Sequence, residues 1–218
     1  MKTRNGQYPP LAVDGQGAWW CRGSGQHTGL GASGSRPPTL FAMATVFAGM
    51  AASLDGFIQS ASGNLSWLND AMAPGEDYGF AETEARTGAY VIGANTYREM
   101  GGTSGVGAVP TYVVTHDAVL ATGRNVRSYA GDLAQLIETV RSDIDPGKDI
   151  CVFGGGRLVT QLLELGLIRR AGVSIIPVVL GNGVRFFGAM ASATKLELME
   201  CRPFPSGIVI LNYRVVRP

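Results

Sequence analysis

The chain has 218 residues, 45% of them hydrophobic and 16% charged, with a formal net charge of +1. That is enough apolar material for one globular core, and too little net charge to draw the chain to nucleic acid or to an anionic membrane. Cys21, Cys151, Cys201, His27 and His116 are widely scattered, which argues against a metal site or a disulfide framework, and no apolar run is long enough to span a bilayer.

The chain divides at about Met43. Residues 1–42 are rich in Gly, Ser and Pro, lack periodicity and carry an isolated Trp19-Trp20-Cys21. They have no apolar h-region of a signal peptide. They are expected to form a disordered extension ahead of a folded domain over 43–218, and Met43 is expected to be an alternative start.

From Ala44 to Ala52 the chain is apolar, as in a buried strand, and Asp55-Gly56 breaks it. A polar loop through Asn64 leads to Leu65-Ser66-Trp67-Leu68. Pro74-Gly75-Glu76-Asp77 reads as the start of a helix running to about Thr87. Ala89 to Ile92 is a second strand, followed at Gly93 by a short helix containing Asn95, Thr96 and Arg98. A glycine-rich loop spans 101–107. Thr111 to Val114 is a third strand ending at Thr115-His116, and Asn125 to Ser128 a short fourth. Asp132 to Ser142 places Leu133, Leu136, Ile137 and Val140 on one helical face. The strand at Ile150 runs into Phe153-Gly154-Gly155-Gly156-Arg157-Leu158 and a second amphipathic helix. Gly172 to Leu180 is a strand in which Pro177 suits an end, an edge or a bulge. Lys195 to Cys201 and Ile208 to Val216 read as a closing antiparallel hairpin.

Strands alternating with helices predict an α/β fold with a mostly parallel sheet and an antiparallel C-terminal hairpin. Right-handed crossovers then put the strand ends at Gly93, Thr115 and Gly154 on one side, where such sheets bind ligands. Gly154-Gly155-Gly156 at a helix N-terminus suits an anion. The first helical N–H groups lack intrahelical partners, and glycine lets a phosphate approach the backbone. A tight turn without a ligand is the alternative. The Rossmann G-x-G-x-x-G spacing fails, because position 159 is Val159.

Four stretches carry a resemblance: Ala52-Ser53-Leu54-Asp55-Gly56, Ile92-Gly93-Ala94-Asn95-Thr96-Tyr97, Val152-Phe153-Gly154-Gly155-Gly156 and Ile176-Pro177-Val178-Val179-Leu180-Gly181-Asn182-Gly183. In order and spacing they resemble the dihydrofolate reductase-like family, in the branch containing the C-terminal reductase domain of bacterial riboflavin biosynthesis. The resemblance implies a three-layer α/β/α fold, a cytoplasmic homodimer joined through edge strands, no resident metal and an NADPH cofactor. It implies cofactor contacts at Ala51, Ile58, Gly93, Asn95, Thr96, Thr115, His116, Phe153, Gly154, Gly155, Gly156, Arg157 and Leu158, with a cis Gly-Gly peptide in the loop. Where the family has an Arg for the 2′-phosphate this chain has Ala94, so NADH is possible beside NADPH; Arg98, His116 and Arg124 are the candidate substitutes.

For the substrate, Asp55 reads either as a turn residue or as a polar contact with a catalytic part, and Trp67 as a packed aromatic or a substrate platform. Asp70, Glu76 and Asp77 stand near the position of the family's pterin-binding carboxylate, and Glu76 and Asp77 equally suit a helix N-terminus. Phe57 replaces the Lys that follows Asp-Gly in many riboflavin-pathway reductases, which argues against a phosphorylated sugar substrate. The expected function is hydride transfer from NAD(P)H to a small pteridine- or aminopyrimidine-like heterocycle or a carbonyl. The alternatives are a non-catalytic dinucleotide-binding module and a flavin-binding reductase.

Overall fold

A computed structural model describes residues 44–102, 109–117, 120 and 122–216. The expected extension over 1–42 and most of the 101–107 loop lie outside the described residues. Eleven strands and five helices follow in order: β1 (Val46–Ser53), β2 (Phe57–Ser60), α1 (Ser66–Asn69), α2 (Phe80–Arg86), β3 (Thr87–Gly93), α3 (Ala94–Glu99), β4 (Thr111–Val114), β5 (Thr122–Gly123), β6 (Val126–Tyr129), α4 (Leu133–Asp143), β7 (Asp149–Val152), α5 (Gly156–Glu164), β8 (Arg170–Ile176), β9 (Gly183–Arg185), β10 (Lys195–Pro203) and β11 (Val209–Val216).

Nine strands form one sheet in the order β10-β11-β8-β1-β7-β3-β4-β6-β5, and β2 pairs with β9 in a separate ribbon. The six strands from β8 to β6 are mutually parallel. The β10–β11 hairpin joins β8 antiparallel, as the alternating pattern predicts. The carboxyl ends of β1, β7, β3 and β4 therefore sit side by side on one edge.

Alternation along each strand divides the sheet into two faces. Val46, Ala48, Val91, Ile150 and Val152 pack with Leu136, Ile137 and Val140 of α4 and Val159 and Leu162 of α5, all fully buried. Each such Val, Leu or Ile side chain contributes about 1.5–3 kcal/mol relative to exposure. Both helices are delimited by local chemistry. Asp132 caps α4, its carboxylate accepting from Gln135 N at 2.9 Å, a bond worth about 1 kcal/mol. Gly166, at φ 65°, ends α5, with Leu167 N donating to Leu162 O and Gly166 N to Leu163 O. The opposite face carries α3, packed through Tyr97 on Ile92 and Val113, and the α1–α2 segment, packed through Trp67, Leu68 and Tyr78 on Ile176 and Ile208. The result is the expected three-layer α/β/α fold.

Three expectations change. The helix read from Pro74 begins only at Phe80, because Tyr78 (φ 53°) and Gly79 (φ 78°) are consecutive left-handed residues that no α-helix accommodates. Asp77 still serves the helix, accepting from Ala81 N at 3.1 Å. The strand expected to reach Leu180 stops at Ile176, before Pro177. Within the stretches read as loops, β2, α1 and β9 form elements of three or four residues, too short for a period to show. Among the described residues, no helix is long and apolar enough to cross a membrane.

Candidate functional site

The open face of the sheet and the carboxyl strand ends border one cleft of about 950 Å³, at the upper end of the size of small-molecule sites. Its upper part is built from turns. β3 ends at Gly93 and β7 runs into Phe153 and the three glycines, and Gly93 N donates to Gly154 O at 3.0 Å, tying the two turns together. The Gly154-Gly155 peptide is cis, as the resemblance implies.

The three glycines differ in what surrounds them. Gly154 has φ 78°, and a Cβ there would stand 3.0 Å from Met50 Cε and 3.1 Å from Thr96 Oγ1. At Gly155 a Cβ would meet only Thr96 Oγ1, at 3.5 Å. At Gly156 it would lie 2.1 Å from Arg185 O and 2.9 Å from Phe186 O, so the backbone after β9 crosses directly over the start of α5. Gly155 is the N-cap of α5 and no side chain caps it. The first N–H groups of a nine-residue helix are thus left without a side-chain partner, beside glycines and facing the cleft.

Of the residues singled out in the sequence, Ala51, Ile58, Gly93, Asn95, Thr96, His116, Phe153, Gly155, Gly156, Arg157 and Leu158 all line this cleft. Gly154 sits beneath it, bonded to Gly93. Thr115 stands at the end of β4, where its hydroxyl accepts from Asp117 N at 3.1 Å, and it does not line the cleft. Ala94 lines the cleft without supplying a cation. Arg98 donates to Asn95 Oδ1 at 3.0 Å on the exposed side of α3. Arg124, offered as a substitute, lies in the β5–β6 turn at the amino-terminal side of the sheet, because β6 pairs parallel with β4 from Thr111 onward.

Asp55 and Trp67 take the structural alternatives weighed for them, a turn residue and a packed aromatic. The Asp55 carboxylate accepts from Ser53 Oγ at 2.6 Å, Leu180 N at 3.1 Å and Gly181 N at 2.7 Å. It staples the β1–β2 turn to the loop after β8. The Ser53 hydroxyl, with help from the two N–H groups and against some desolvation, lowers its pKa to about 2. It is a turn residue that also reaches across to a second loop, and it does not line the cleft. Trp67 packs in the cluster of Ile176 and Ile208 and donates to Asn64 O at 3.1 Å, away from the cleft lining.

Asp70, Glu76 and Asp77 do not line the cleft either; the acids that do are Glu82, Glu99 and Glu200. Glu99 accepts from Gln59 Nε2 at 2.8 Å, which ties the end of β2 to α3 across the cleft margin. Glu200 accepts from Arg202 at 2.7 Å and from Asn212 Nδ2 at 2.7 Å. Hydrogen bonding from Arg202 and then Asn212 holds its pKa below the usual carboxylate range. Cys151 borders the cleft from below, and burial, with Asp149 nearby, pushes its thiol up to about 12.

The sequence reading missed the cleft's second wall, formed by Ser174 of β8, Asn212 of β11, and Glu200 and Arg202 of β10. The signal available was alternation: positions 170, 172 and 174 share a face, as do 210 and 212. Nothing in the sequence says that this face is left open. At the opposite end of the sheet Asp149, 6% exposed, takes Arg86 at 2.8 Å and also bonds Arg170 and Thr45 N. Among the described residues no group of His, Cys, Asp and Glu can hold a metal ion.

The RibD C-terminal domain family matches residues 44–210. The chain is 41% identical to the uncharacterized protein YyaP of Bacillus subtilis (strain 168) over 69 residues, a stretch covering 32% of this chain and 37% of that protein. A putative riboflavin biosynthesis protein from Shewanella sp. PV-4 superposes with a TM-score of 0.69 at 22% identity, over 79% of this chain and 99% of that one. Dihydrofolate reductase from Enterococcus faecalis, solved with NADP(H), superposes with a TM-score of 0.57 at 15% identity, over 81% of this chain and 99% of that one. The strand order, the paired glycine turns and the match over 44–210 agree, and the chain belongs to the RibD C-terminal domain family, with a dihydrofolate reductase-like fold.

Proposed function

We propose that the protein is an NAD(P)H-dependent reductase of a small heterocyclic or carbonyl substrate. The observation that carries this reading is the uncapped start of α5 behind Gly155, opening into a cleft whose other strand ends are small or apolar. Support also comes from the family match and from the NADP(H) complex of the dihydrofolate reductase with a similar fold.

In this reading the α5 N-terminus, Gly155, Arg157 and Thr96 hold the pyrophosphate, and Gly93, Asn95 and His116 border the adenosine half. Ala51, Ile58 and Phe153 enclose the nicotinamide. The geometry suits the group: Gly155 has no Cβ in the way, and Ala51 leaves the floor of the cleft open to a flat ring. The cofactor when bound supplies a hydride, which with one proton takes C=N to CH–NH or C=O to CH–OH. The protein's part is to press the two reactants together and keep water out. Asp55 is not the proton donor, since its carboxylate is engaged in the β1–β2 staple and ionised down to about pH 2. With Ala94 in place of an arginine, His116 is the cleft-lining candidate left to meet a 2′-phosphate, so NADPH is preferred over NADH only weakly.

The same reading takes the protein as a cytoplasmic homodimer joined through the edge strands at the β11–β10 end of the sheet, on the side of Leu54, Phe187 and Leu211 that faces away from the cleft; light scattering reads the mass directly. The catalytic reading is tested by titrating the full chain with NADPH and NADH, then following cofactor oxidation at 340 nm with a panel of pteridines, aminopyrimidines and quinones. Oxidation with one of them is the expected result. No binding of either cofactor at millimolar concentration excludes the proposal, and binding without oxidation points instead to a non-catalytic dinucleotide module.

A further inference from the structure

The helix α2 is unlike α4 and α5. α4 buries Leu136, Ile137 and Val140, and α5 buries six of its nine residues. All seven residues of α2 are exposed, although Phe80, Glu82, Thr83 and Arg86 border the cleft. Its inner face therefore looks into open space rather than onto the sheet. A helix of two turns with no buried stripe is not held by packing along its length.

It is held at its two ends. Ahead of it the Tyr78 ring, 7% exposed, packs 4.9 Å from the Phe204 ring. The Tyr78 hydroxyl donates to Ser206 Oγ at 3.1 Å and accepts from Ala73 N at 2.9 Å. Behind it Arg86 donates to Asp149 at 2.8 Å and Lys148 Nζ to Ala85 O at 2.6 Å, and buried Thr87 opens β3. Between the first anchor and the helix lie the consecutive left-handed residues Tyr78 and Gly79, and Tyr78 is the one non-glycine residue with a positive φ among the described residues. A side-chain-bearing residue takes that conformation at a cost, and glycine takes it freely. A Cβ on Gly79 would meet nothing nearer than Arg202 Nη1 at 3.6 Å, so this glycine serves the backbone and not a shortage of space.

Phe80 follows directly. Its side chain is 56% exposed at the margin of the cleft, and Met199 of β10 and Val184 of β9, 59% and 46% exposed, border the same cleft. Large apolar side chains from three elements thus stand in water around one opening, where isolated ones are the ordinary case. We propose that α2 is a lid on this cleft, with Tyr78–Gly79 as its hinge, the Arg86–Asp149 pair as its far pivot and Phe80 as the side chain that closes over the occupant. The structure shows the lid open. Closure buries Phe80 and keeps water from the floor at Ala51, which hydride transfer there requires. The inference rests on the reductase reading for its occupant, NADPH, and on nothing else in that reading.

The test is hydrogen exchange of the full chain read by mass spectrometry, with and without saturating NADPH, joined to stopped-flow NADPH binding. In the free chain the amides of α2 should exchange at least about tenfold faster than those of α4 and α5; equal protection overturns the lid. NADPH should slow exchange in α2 and give a second, concentration-independent binding phase, the closing step. Phe80→Ala removes an exposed side chain, so the thermal midpoint should stay and the loss should appear in binding. NADPH should dissociate about fivefold faster, for the half of the ring that closure buries, and exchange in α2 should no longer slow. A lowered midpoint with unchanged dissociation marks a packing residue and overturns the proposal. Gly79→Ala, which fits in space but resists the left-handed conformation, should change the rate of the closing phase and leave the first phase as it is. Binding in one phase, α2 exchange untouched by bound NADPH, or wild-type closing kinetics in Gly79→Ala overturns the lid and leaves the reductase reading intact. If NADPH does not bind at millimolar concentration, the reductase reading alone fails, and the exchange of α2 in the free chain still decides for or against the lid.

Discussion

Gly156→Ala separates the structural from the ligand-binding roles of the glycine loop. The added Cβ would lie 2.1 Å from Arg185 O, where an ordinary carbon–oxygen contact needs about 3.3 Å. The backbone at 185–186 must then retreat by about 1 Å, and it is held in place because Phe186 N donates to Gly56 O at 3.0 Å and the Phe186 ring is 2% exposed. Overpacking of this kind costs about 1–3 kcal/mol. The neighbouring Gly155→Val is the control. Its Cβ meets nothing nearer than Thr96 Oγ1 at 3.5 Å, and the valine methyl groups project into the proposed pyrophosphate site. For a domain of this size 1 kcal/mol moves the thermal midpoint by about 2–4 °C. Gly156→Ala should thus lower it by roughly 4–8 °C for a cost of about 2 kcal/mol. Gly155→Val should stay near the wild-type midpoint and lose NADPH binding. Calorimetric melting with and without NADPH reads both. A Gly156→Ala protein that melts with the wild type refutes the packing argument, and a Gly155→Val protein that binds NADPH normally refutes the location of the site.

Two further substitutions probe the frame around the cleft. Asp149→Ala removes the carboxylate shared by Arg86 and Arg170, whose side chains are 47% and 28% exposed; leaving two half-buried cations facing each other should cost about 3 kcal/mol, read as a lower urea midpoint at unchanged slope. Asp55 has its folded pKa depressed to about 2 from 3.8, so the stability it contributes is complete above about pH 4 and is lost as the pH falls toward 2. Asp55→Asn should therefore lose stability at pH 7 and flatten the fall between pH 4 and 2; an acid unfolding curve parallel to the wild type in that window would contradict the staple.

The main parallel strands and the long helices were legible because their signals are local. β4 coincides with the run Thr111 to Val114, and α4 with the period of Leu133, Leu136, Ile137 and Val140. The glycine side of the cleft was legible for a similar reason: glycines at strand ends are markers that sit in sequence next to the turns they make, and eleven of the thirteen residues proposed as cofactor contacts line the cleft. The short elements β2, β9 and α1 had no such marker.

What the chain by itself determined was the α/β alternation, the closing hairpin and the placing of Gly93 and Gly154 at strand ends. Tertiary structure alone decided which glycine is crowded and which is free, because the atoms over Gly156 come from β9, nearly thirty residues away. It took Asp55 out of the cleft, since its partners Leu180 and Gly181 come from the loop after β8. It also left one sheet face uncovered, bringing Ser174, Asn212 and Glu200 to the reactive end of β1. Strand alternation names the residues that share a face, but whether that face is filled by a helix or left for a ligand depends on how far the α1–α2 segment reaches, and no local period encodes that distance.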